Sequence, residues 1–202
     1  MPSTSSQPER RRPQQARAAL RRASFLEVAA RLIGDVGYEA VTMKAIAEAA
    51  DASIGTLYDY FPDKQTLALA LLAQYADELD AYWAAVLEEP SISSENAFAD
   101  FLVEAVLGFV RTRPAYLPLI GSPVTYSRST AARQPLRNTI AKALQKTSQR
   151  LTDERAHIAA NVIVELIRAL LSIYKRGSPL DRQIAVEEFR KLMRLYVADV
   201  IG

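Results

Sequence analysis

The chain has 202 residues, half of them hydrophobic, and its 25 Lys and Arg against 23 Asp and Glu give a formal net charge of only +2. It has no cysteine and a single histidine, His157, which excludes disulfides, catalytic thiols and cysteine metal sites and leaves little for a zinc site or a Ser-His-Asp triad. No run of about 18 uninterrupted apolar residues is present, so the sequence predicts no transmembrane helix.

The positive charge is concentrated at the start of the chain. Residues 1–22 hold six arginines and one glutamate, a local charge of +5 that leaves −3 for the rest. A basic segment on a near-neutral body is typical of proteins that bind an anionic surface, either nucleic acid or membrane. We expect residues 1–16 to form a flexible basic arm. A solvated tail without a role and an organelle transit peptide are the alternatives.

The first helix and the two short helices after it are predicted from local signals. Apolar residues recur at spacings of three and four up to Val36, which predicts an amphipathic helix from Arg17 to a left-handed glycine cap at Gly37. Thr42 and Ser53 are natural N-caps for two short helices that follow. The second short helix must end before the proline at position 62, because a residue that precedes a proline avoids the helical region.

The rest of the chain also has helical periodicity and no alternation that would predict strands. Segment 112–124 is rich in proline, so only one or two helical turns are expected there. Longer helices are predicted over about 63–88, 95–111, 125–150, 153–175 and from 179 to the end. The fold class expected is all-α, with about nine helices.

The two short helices and their tight turn outline a helix-turn-helix, whose second helix enters the major groove of DNA. The composition of 53–64, SIGTLYDYFPDK, suits that role. Leu57 and Phe61 can anchor the helix to its neighbours, and Gly55 allows close approach of the backbone. Partly buried packing is the alternative for the two tyrosines. The side chains that can donate to phosphate oxygens are Thr56, Tyr58, Tyr60 and Lys64.

Residues 42–67, TMKAIAEAADASIGTLYDYFPDKQTL, resemble the DNA-binding signature of the TetR family of transcriptional regulators, and the preceding DVGYEAVT is similar to that family's exit from its first helix. The resemblance runs from Arg17 to Leu67. It implies a homodimer that reads two neighbouring half-sites, and a C-terminal domain that binds a small effector. The DNA-binding residues that it implies are Thr42, Lys44, Ser53, Ile54, Gly55, Thr56, Tyr58, Tyr60 and Lys64.

The turn departs from the family pattern, which usually has Gly-Val before the capping serine. This chain has Asp51 and Ala52 there. Since Asp tolerates the left-handed conformation better than most residues, we expect the turn to be kept. Ile54 has no hydrogen-bonding group and would read only a thymine methyl or the shape of the groove.

The resemblance implies a helix-turn-helix DNA-binding domain at 17–64 and an effector-binding and dimerisation domain at 65–202. Ligand cavities are mostly apolar, so core packing is the alternative for each aromatic residue proposed to line one. The residues expected at an effector pocket are Tyr75, Trp83, Phe101, Tyr116, Tyr126, Asn161 and Glu165.

The helices at 153–175 and after 179 are apolar on most of their faces, which indicates burial on most faces. In the resembling family these two helices form a dimeric four-helix interface. A monomer with an unusually large core is the alternative. The residues expected at the dimer interface are Ile163, Ile167, Leu170, Phe189, Met193 and Tyr196.

One polar stripe runs down the 153–175 helix, at steps of four, four, three and four. A solvent-facing stripe, hydrogen bonds in a dimer seam and polar groups lining an effector pocket are the three interpretations. Glu165 and Arg168 are spaced for an ion pair. The stripe consists of His157, Asn161, Glu165, Arg168 and Ser172.

The function expected is a cytoplasmic DNA-binding regulator, a repressor that a small lipophilic effector releases from a palindromic operator. We expect no enzymatic activity, no metal, no cofactor and no membrane partner, because no catalytic triad, ligand cluster or phosphate-binding Gly loop can be assembled. The alternative is a helical membrane-surface or scaffold protein that uses the Arg-rich arm. It predicts vesicle binding that is lost when residues 1–16 are removed.

Overall fold

The computed structural model describes residues 11–86, 95–124, 134–148 and 150–202. These ranges are helical and contain no strand, which confirms the all-α class. Their helices are α1 (Arg11–Val36), α2 (Met43–Ala49), α3 (Ile54–Tyr60), α4 (Lys64–Val86), α5 (Glu95–Thr112), α6 (Tyr116–Ile120), α7 (Gln134–Thr147), α8 (Asp153–Arg176) and α9 (Pro179–Ile201).

The first helix begins at Arg11, earlier than the expected Arg17, so part of the predicted arm is helical. The Arg, Gln and Ala residues there are good helix formers, and Pro13 lies in the first turn, where a proline is tolerated. The helix ends as predicted: Gly37 has a φ of 82°, in the left-handed region. Residues 1–10, and the expected start of α7 at 125, lie outside the described part of the chain.

Two hydrophobic cores lie along the molecule. The N-terminal core joins α1, α2, α3 and the first half of α4, and its fully buried side chains include Phe25, Ile46 and Leu57. The C-terminal core joins α5, α7, α8 and α9. Complete burial of one such side chain stabilises the fold by about 1.5–3 kcal/mol. The residues that pack against both cores are Leu79, Tyr82 and Tyr116.

Helix α8 is long and apolar enough to cross a membrane, judged by length and composition alone. Only 39% of its most apolar window is buried. The helix packs against α7 and α9, where Ile163 and Leu170 enter the C-terminal core. Ile158 and Ile173 are exposed instead. Its apolar composition therefore comes from a core face together with a second, uncovered face.

Candidate nucleic-acid interface and ligand cavity

Both predicted N-caps are present. The Thr42 hydroxyl accepts a hydrogen bond of 3.1 Å from the Ala45 amide, and the Ser53 hydroxyl accepts one of 3.1 Å from the Thr56 amide. The hydroxyls of Ser53 and Thr56 also lie 2.8 Å apart, within hydrogen-bond distance. These bonds satisfy amides at the starts of α2 and α3 that have no partner within the helix.

The turn between α2 and α3 adopts the expected left-handed conformation. Asp51 has a φ of 49°. The Ala52 amide donates to the Ala47 carbonyl at 3.0 Å, which folds the chain back toward α2. From α1, the Arg21 guanidinium donates to the Asp51 carbonyl at 3.1 Å. An arginine of the basic N-terminal helix is thereby held beside the turn.

Helix α3 is anchored on one side and open on the other. Leu57 is completely buried and Phe61, which follows the helix, is 1% exposed. On the open side Ile54 is 40% and Tyr58 48% exposed. A Cβ placed on Gly55 would meet only the Ser53 hydroxyl, at 3.8 Å, so no other part of the described chain covers this surface. The helix presents the small and hydroxyl-bearing face that a groove-binding helix requires.

Tyr58 and Tyr60 do not share this surface. The Tyr60 ring is half-buried and packs edge-on against Phe25, with 5.5 Å between the ring centroids. Such aromatic pairs contribute about 0.5–1.5 kcal/mol beyond the area that they bury. The packing alternative therefore describes the Tyr60 ring, while Tyr58 remains exposed.

Lys64 does not have the free ammonium that was expected to contact a phosphate. Its ammonium donates to the carbonyls of Tyr38, Glu39 and Val41 at 3.1, 3.2 and 3.0 Å. It also lies 4.5 Å from the centroid of the Tyr38 ring. Since an ammonium has three hydrogens to donate, none remains for a phosphate. Lys64 instead ties the start of α4 to the segment between α1 and α2, a correction to the sequence-based expectation.

Two groups near Lys64, the Tyr38 phenol and the Asp63 carboxylate, have shifted pKa values. Burial raises the pKa of Tyr38, and the carboxylates of Glu39 and Asp63 raise it further. Asp63 caps α4, because its carboxylate accepts a hydrogen bond of 2.6 Å from the Thr66 amide. That bond, followed by one from the Thr66 side chain, lowers the pKa of Asp63.

Thr42 and Lys44 lie exposed at the start of α2. The Lys44 side chain is 80% exposed and its ammonium is 3.8 Å from the Glu48 carboxylate. A surface pair of this kind contributes little, so Lys44 can leave it for another anion.

A cavity of about 410 Å³ lies between α4, α5, α6, α7 and α8. Trp83 and Tyr116, both expected at an effector pocket, line it. The other apolar lining residues are Leu72, Ala76, Leu79, Val106, Phe109, Val110, Ile120, Val124, Leu136, Val164, Ile167 and Leu171. The polar lining residues are Asp80, Ser122, Arg137 and Arg168. This volume and this composition are typical of small-molecule sites.

The other residues expected at the pocket do not line the cavity. Phe101 packs half-buried against the C-terminal core. Asn161 and Glu165 are exposed on α8, where Glu165 forms the predicted ion pair with Arg168 at 3.0 Å. Tyr126 lies outside the described residues. Of the polar stripe on α8, only Arg168 reaches the cavity, and periodicity alone could not single it out.

Tyr75 lies directly behind the cavity wall. Its ring packs edge-on against Phe109 and Tyr116, with centroid separations of 6.5 and 5.9 Å. Burial is the main reason that the pKa of Tyr75 is raised to about 12. Burial also raises the pKa of Tyr116, while Arg168 acts in the opposite direction. Both phenols are therefore neutral at physiological pH, and this aromatic cluster joins the cavity to the N-terminal core.

The residues expected at a dimer interface point inward. Ile163 is completely buried, and Leu170 and Met193 are 1% exposed, all within the core of their own chain. Ile167 lines the cavity. Phe189 and Tyr196, both on α9, are half-buried against the C-terminal core. Ile163, Leu170 and Met193 are therefore core residues of their own chain, a correction to the expectation, because the apolar pattern did not separate the core face of these helices from their outer face. The large apolar side chains exposed on α8 and α9 are Ile158, Val162, Ile173, Leu180, Ile184, Leu192 and Leu195.

Comparison with known proteins agrees with this arrangement. Residues 25–71 match the family described as "Bacterial regulatory proteins, tetR family". Residues 96–196 match the family described as "Tetracyclin repressor-like, C-terminal domain". The two matches together include most residues of both hydrophobic cores.

Similar proteins include a curated repressor and two solved structures. The HTH-type transcriptional repressor KstR of Rhodococcus jostii is 44% identical over 61 residues, which are 30% of this chain and 29% of that protein. A TetR-family transcriptional regulator from Pectobacterium atrosepticum superposes with a TM-score of 0.75 at 16% identity, over 92% of this chain and 96% of that one. One from Streptomyces coelicolor gives 0.64 at 24% identity, over 89% of this chain and 99% of that one.

The matched families together span the helix-turn-helix at the start of the chain and the helical domain that surrounds the cavity. The solved structures share the fold over most of its length. The chain belongs to the TetR family of bacterial transcriptional regulators.

Proposed function

We propose that this protein is a transcriptional repressor that binds a palindromic operator as a homodimer and leaves it when a small molecule enters the cavity. It acts in the cytoplasm and catalyses no reaction. The observation that carries the proposal is the open face of α3, held outward by buried Leu57 and by the left-handed turn at Asp51. The identity to the KstR repressor is confined to a 61-residue segment, so that repressor's own operator and ligand are not assigned to this chain.

The contacts to DNA come from two helix starts. Thr42 and Lys44, at the start of α2, face phosphates, which set the register of the protein on the duplex. On α3 the exposed Ile54 offers an apolar contact to a thymine methyl group, and Tyr58 offers a hydroxyl to a phosphate. The residues that we place nearest the bases are Ser53, Ile54, Gly55 and Thr56. Tyr60 and Lys64 support α3 and α4 from behind.

The dimer forms through the exposed apolar faces of α8 and α9. At 100° per residue, Ile158, Val162 and Ile173 fall within about 60° of one another around α8. The corresponding residues of α9 span about 120°, and the two helices pack against each other. Burying such a face removes the large apolar surface that a soluble monomer rarely exposes. The two recognition helices would then be about 34–36 Å apart, to match the repeat of the duplex.

The cavity is connected to the DNA-binding domain through α6. Tyr116 and Ile120 of this helix line the cavity, while α6 also packs against α1 and α4. A ligand that displaces α6 therefore acts on two helices of the N-terminal core. A coupling of about 1–3 kcal/mol would change operator affinity about 5–150-fold.

Selection of bound duplexes from a random pool tests the proposal. A palindromic consensus is expected, with an affinity that falls steeply as salt rises. Tyr58→Phe removes one hydrogen bond to a charged oxygen from each subunit, each worth about 1.5–3 kcal/mol, and should weaken operator binding about a hundredfold or more. Tyr174→Phe, on α8, is the matched control and should leave the affinity unchanged. Binding to random duplex as tight as to any selected sequence would reject the proposal.

A further inference from the structure

A second cavity, of about 550 Å³, adjoins the first. Tyr116, Ile120, Arg168 and Leu171 line both cavities, so the two are adjacent, and we treat them as two parts of one site. The first part is mainly apolar. The second part, which we call the cationic groove, is completed by Gly121, Ser172, Lys175 and Arg176, with no carboxylate among its lining residues.

Arg168 and Lys175 share one face of α8, because seven residues are close to two turns of the helix, and Arg176 is the next residue along the chain. Arg168 is paired with the Glu165 carboxylate at 3.0 Å. The Arg176 guanidinium donates to the carbonyl and hydroxyl of Ser172, at 3.2 and 2.8 Å, and both acceptors are neutral. Two of the three positive charges therefore lack an anionic partner in the described part of the chain.

Lys175 lines the groove beside Gly121, the residue that follows Ile120 at the end of α6. Its side chain crosses the bare backbone of Gly121, so closely that a Cβ on residue 121 would lie 1.3 Å from the Lys175 ammonium nitrogen. The side chain is half-buried, and among the described residues its ammonium has no hydrogen bond or ion pair. A half-buried cation without a partner is unfavourable unless an anion joins it.

We propose that the site takes an amphiphile, with its apolar part in the cavity beside Trp83 and its anionic head, a carboxylate or a phosphate, in the cationic groove. This inference rests on the proposed function, since it assigns a chemical class to the effector. The cavity removes the apolar part from water, and the groove supplies charge-assisted hydrogen bonds to the head. A ligand that occupies both parts contacts Tyr116 and Ile120 from two sides and so presses on α6.

Trp83 provides the measurement, because it is the single tryptophan of the chain and lines the cavity. Full-length protein is titrated with dodecanoate, dodecyl phosphate, dodecanol and dodecyltrimethylammonium, each below its micelle concentration, while Trp83 fluorescence is recorded. The two anions should bind at least about tenfold tighter than dodecanol, or about 1.4 kcal/mol, and the ammonium should bind weakest. The preferred anion distinguishes a carboxylate ligand from a phosphate ligand.

Variants of the groove residues distinguish specific binding of the anionic head from nonspecific hydrophobic binding. Lys175→Gln and Arg176→Gln should each weaken binding of the anions about tenfold and leave dodecanol unchanged. Lys142→Gln removes an exposed charge outside both cavities and is the matched control. Gly121→Ala keeps every charge but displaces the flexible end of Lys175, so it should also weaken binding of the anions. It remains informative if Lys175→Gln does not fold.

Equal affinity for dodecanol and the anions, or anion binding that neither Lys175→Gln nor Gly121→Ala alters, would overturn the inference. Operator binding is measured in parallel with the same ligands. Release of DNA by dodecanol without any preference for anions would leave the proposed function standing and reject the anionic site. Selective anion binding by a protein that binds no DNA sequence preferentially would support the anionic site and reject the proposed function.

Discussion

Gly34 on α1 and Pro114, two residues before α6, approach so closely that no side chain fits between them. A Cβ on residue 34 would lie 2.7 Å from the Pro114 Cβ and 3.2 Å from its carbonyl carbon. Gly34 lies in α1, which packs against α2 and α4, while Pro114 leads into the helix that lines the cavity with Tyr116 and Ile120. The segment that leads into α6 is thus in direct contact with α1, which would connect α1 to the cavity that we propose as the effector site.

Gly34→Ala should destabilise the protein and weaken its response to effector. Replacing a glycine in a helix interior normally gains about 0.5–1 kcal/mol. Here the added methyl group meets a proline ring and backbone that cannot rotate away, and such overpacking costs about 1–3 kcal/mol. A lower unfolding midpoint in urea, together with a smaller ratio of operator affinities without and with effector, is the expected result.

Gly108→Ala is the matched control for this substitution. Gly108 lies within α5, and the nearest atom to its added Cβ would be the Tyr82 hydroxyl, at 3.3 Å. A side-chain end can move by a few tenths of an ångström, so this variant should be close to neutral. If both alanine variants have the same stability and the same effector response, the contact between α1 and the α6 segment carries no signal.

The two lysines near the proposed DNA-binding surface, Lys64 and Lys44, should behave in opposite ways. Lys64→Gln breaks a set of hydrogen bonds to three carbonyls and should lower stability by about 1.5–3 kcal/mol. The operator affinity of this variant should depend on salt as that of the parent does, because no phosphate contact is lost. Lys44→Gln should leave stability unchanged but reduce the slope of log affinity against log salt by about 1.8, since each of the two subunits of the proposed dimer loses one phosphate contact.

Thermal unfolding and binding at several salt concentrations check this pair of variants. A reduced salt slope for Lys64→Gln with unchanged stability would show that Lys64 leaves its carbonyl partners for a phosphate when DNA binds. An unchanged slope for Lys44→Gln would remove Lys44 from the interface.

Local signals in the sequence predicted the caps and the turn, because their partners lie within a few residues. Thr42 and Ser53 each accept a hydrogen bond from an amide three positions ahead, and Asp51 is a residue type that tolerates the left-handed conformation found there. The role of Lys64 was missed for the converse reason. Its carbonyl partners lie 23 to 26 residues earlier, and only the folded packing of α4 beside the α1–α2 connection brings them together.

Helical periodicity also did not determine which sides of α8 and α9 are buried. A stripe of apolar residues predicts which side of a helix is buried only when the opposite side is polar. On α8, Ile163 and Ile158 are equally apolar, yet the first is completely buried and the second is exposed. The cavity cations Arg137 and Arg168 were likewise indistinguishable from ordinary surface charges until α7 and α8 were seen together.

If the proposed dimer forms through α8 and α9, Leu195→Glu should convert it to a monomer and abolish tight operator binding. Leu195 is 72% exposed on α9, in the apolar face that we assign to the partner subunit. A buried carboxylate without a partner is strongly unfavourable, so the variant should dissociate at concentrations where the parent is dimeric. Leu20→Glu is the control, because Leu20 is equally exposed, at 72%, but lies on α1. Sedimentation velocity that shows both variants as dimers would place the interface elsewhere.

Because Asp63 caps α4, the loss of stability caused by Asp63→Ala should depend on pH. The Thr66 amide lowers the folded-state pKa of Asp63 below its unfolded value of about 3.9. Its contribution to stability is therefore fully present above that unfolded pKa and is lost as pH falls through the folded pKa. Asp63→Ala should destabilise the protein at neutral pH, and the difference from the parent should shrink on acidification.

Asp63→Asn separates the charge from the cap in that experiment. Asparagine keeps an acceptor for the Thr66 amide, caps helices about as well as aspartate and does not titrate. Its stability difference from Asp63→Ala should therefore stay constant as pH falls, while the difference between parent and Asp63→Ala declines. Urea unfolding at a series of pH values measures both differences. If the parent and Asp63→Ala remain equally far apart at every pH, the carboxylate contributes through packing rather than through its charged hydrogen bond to the start of α4.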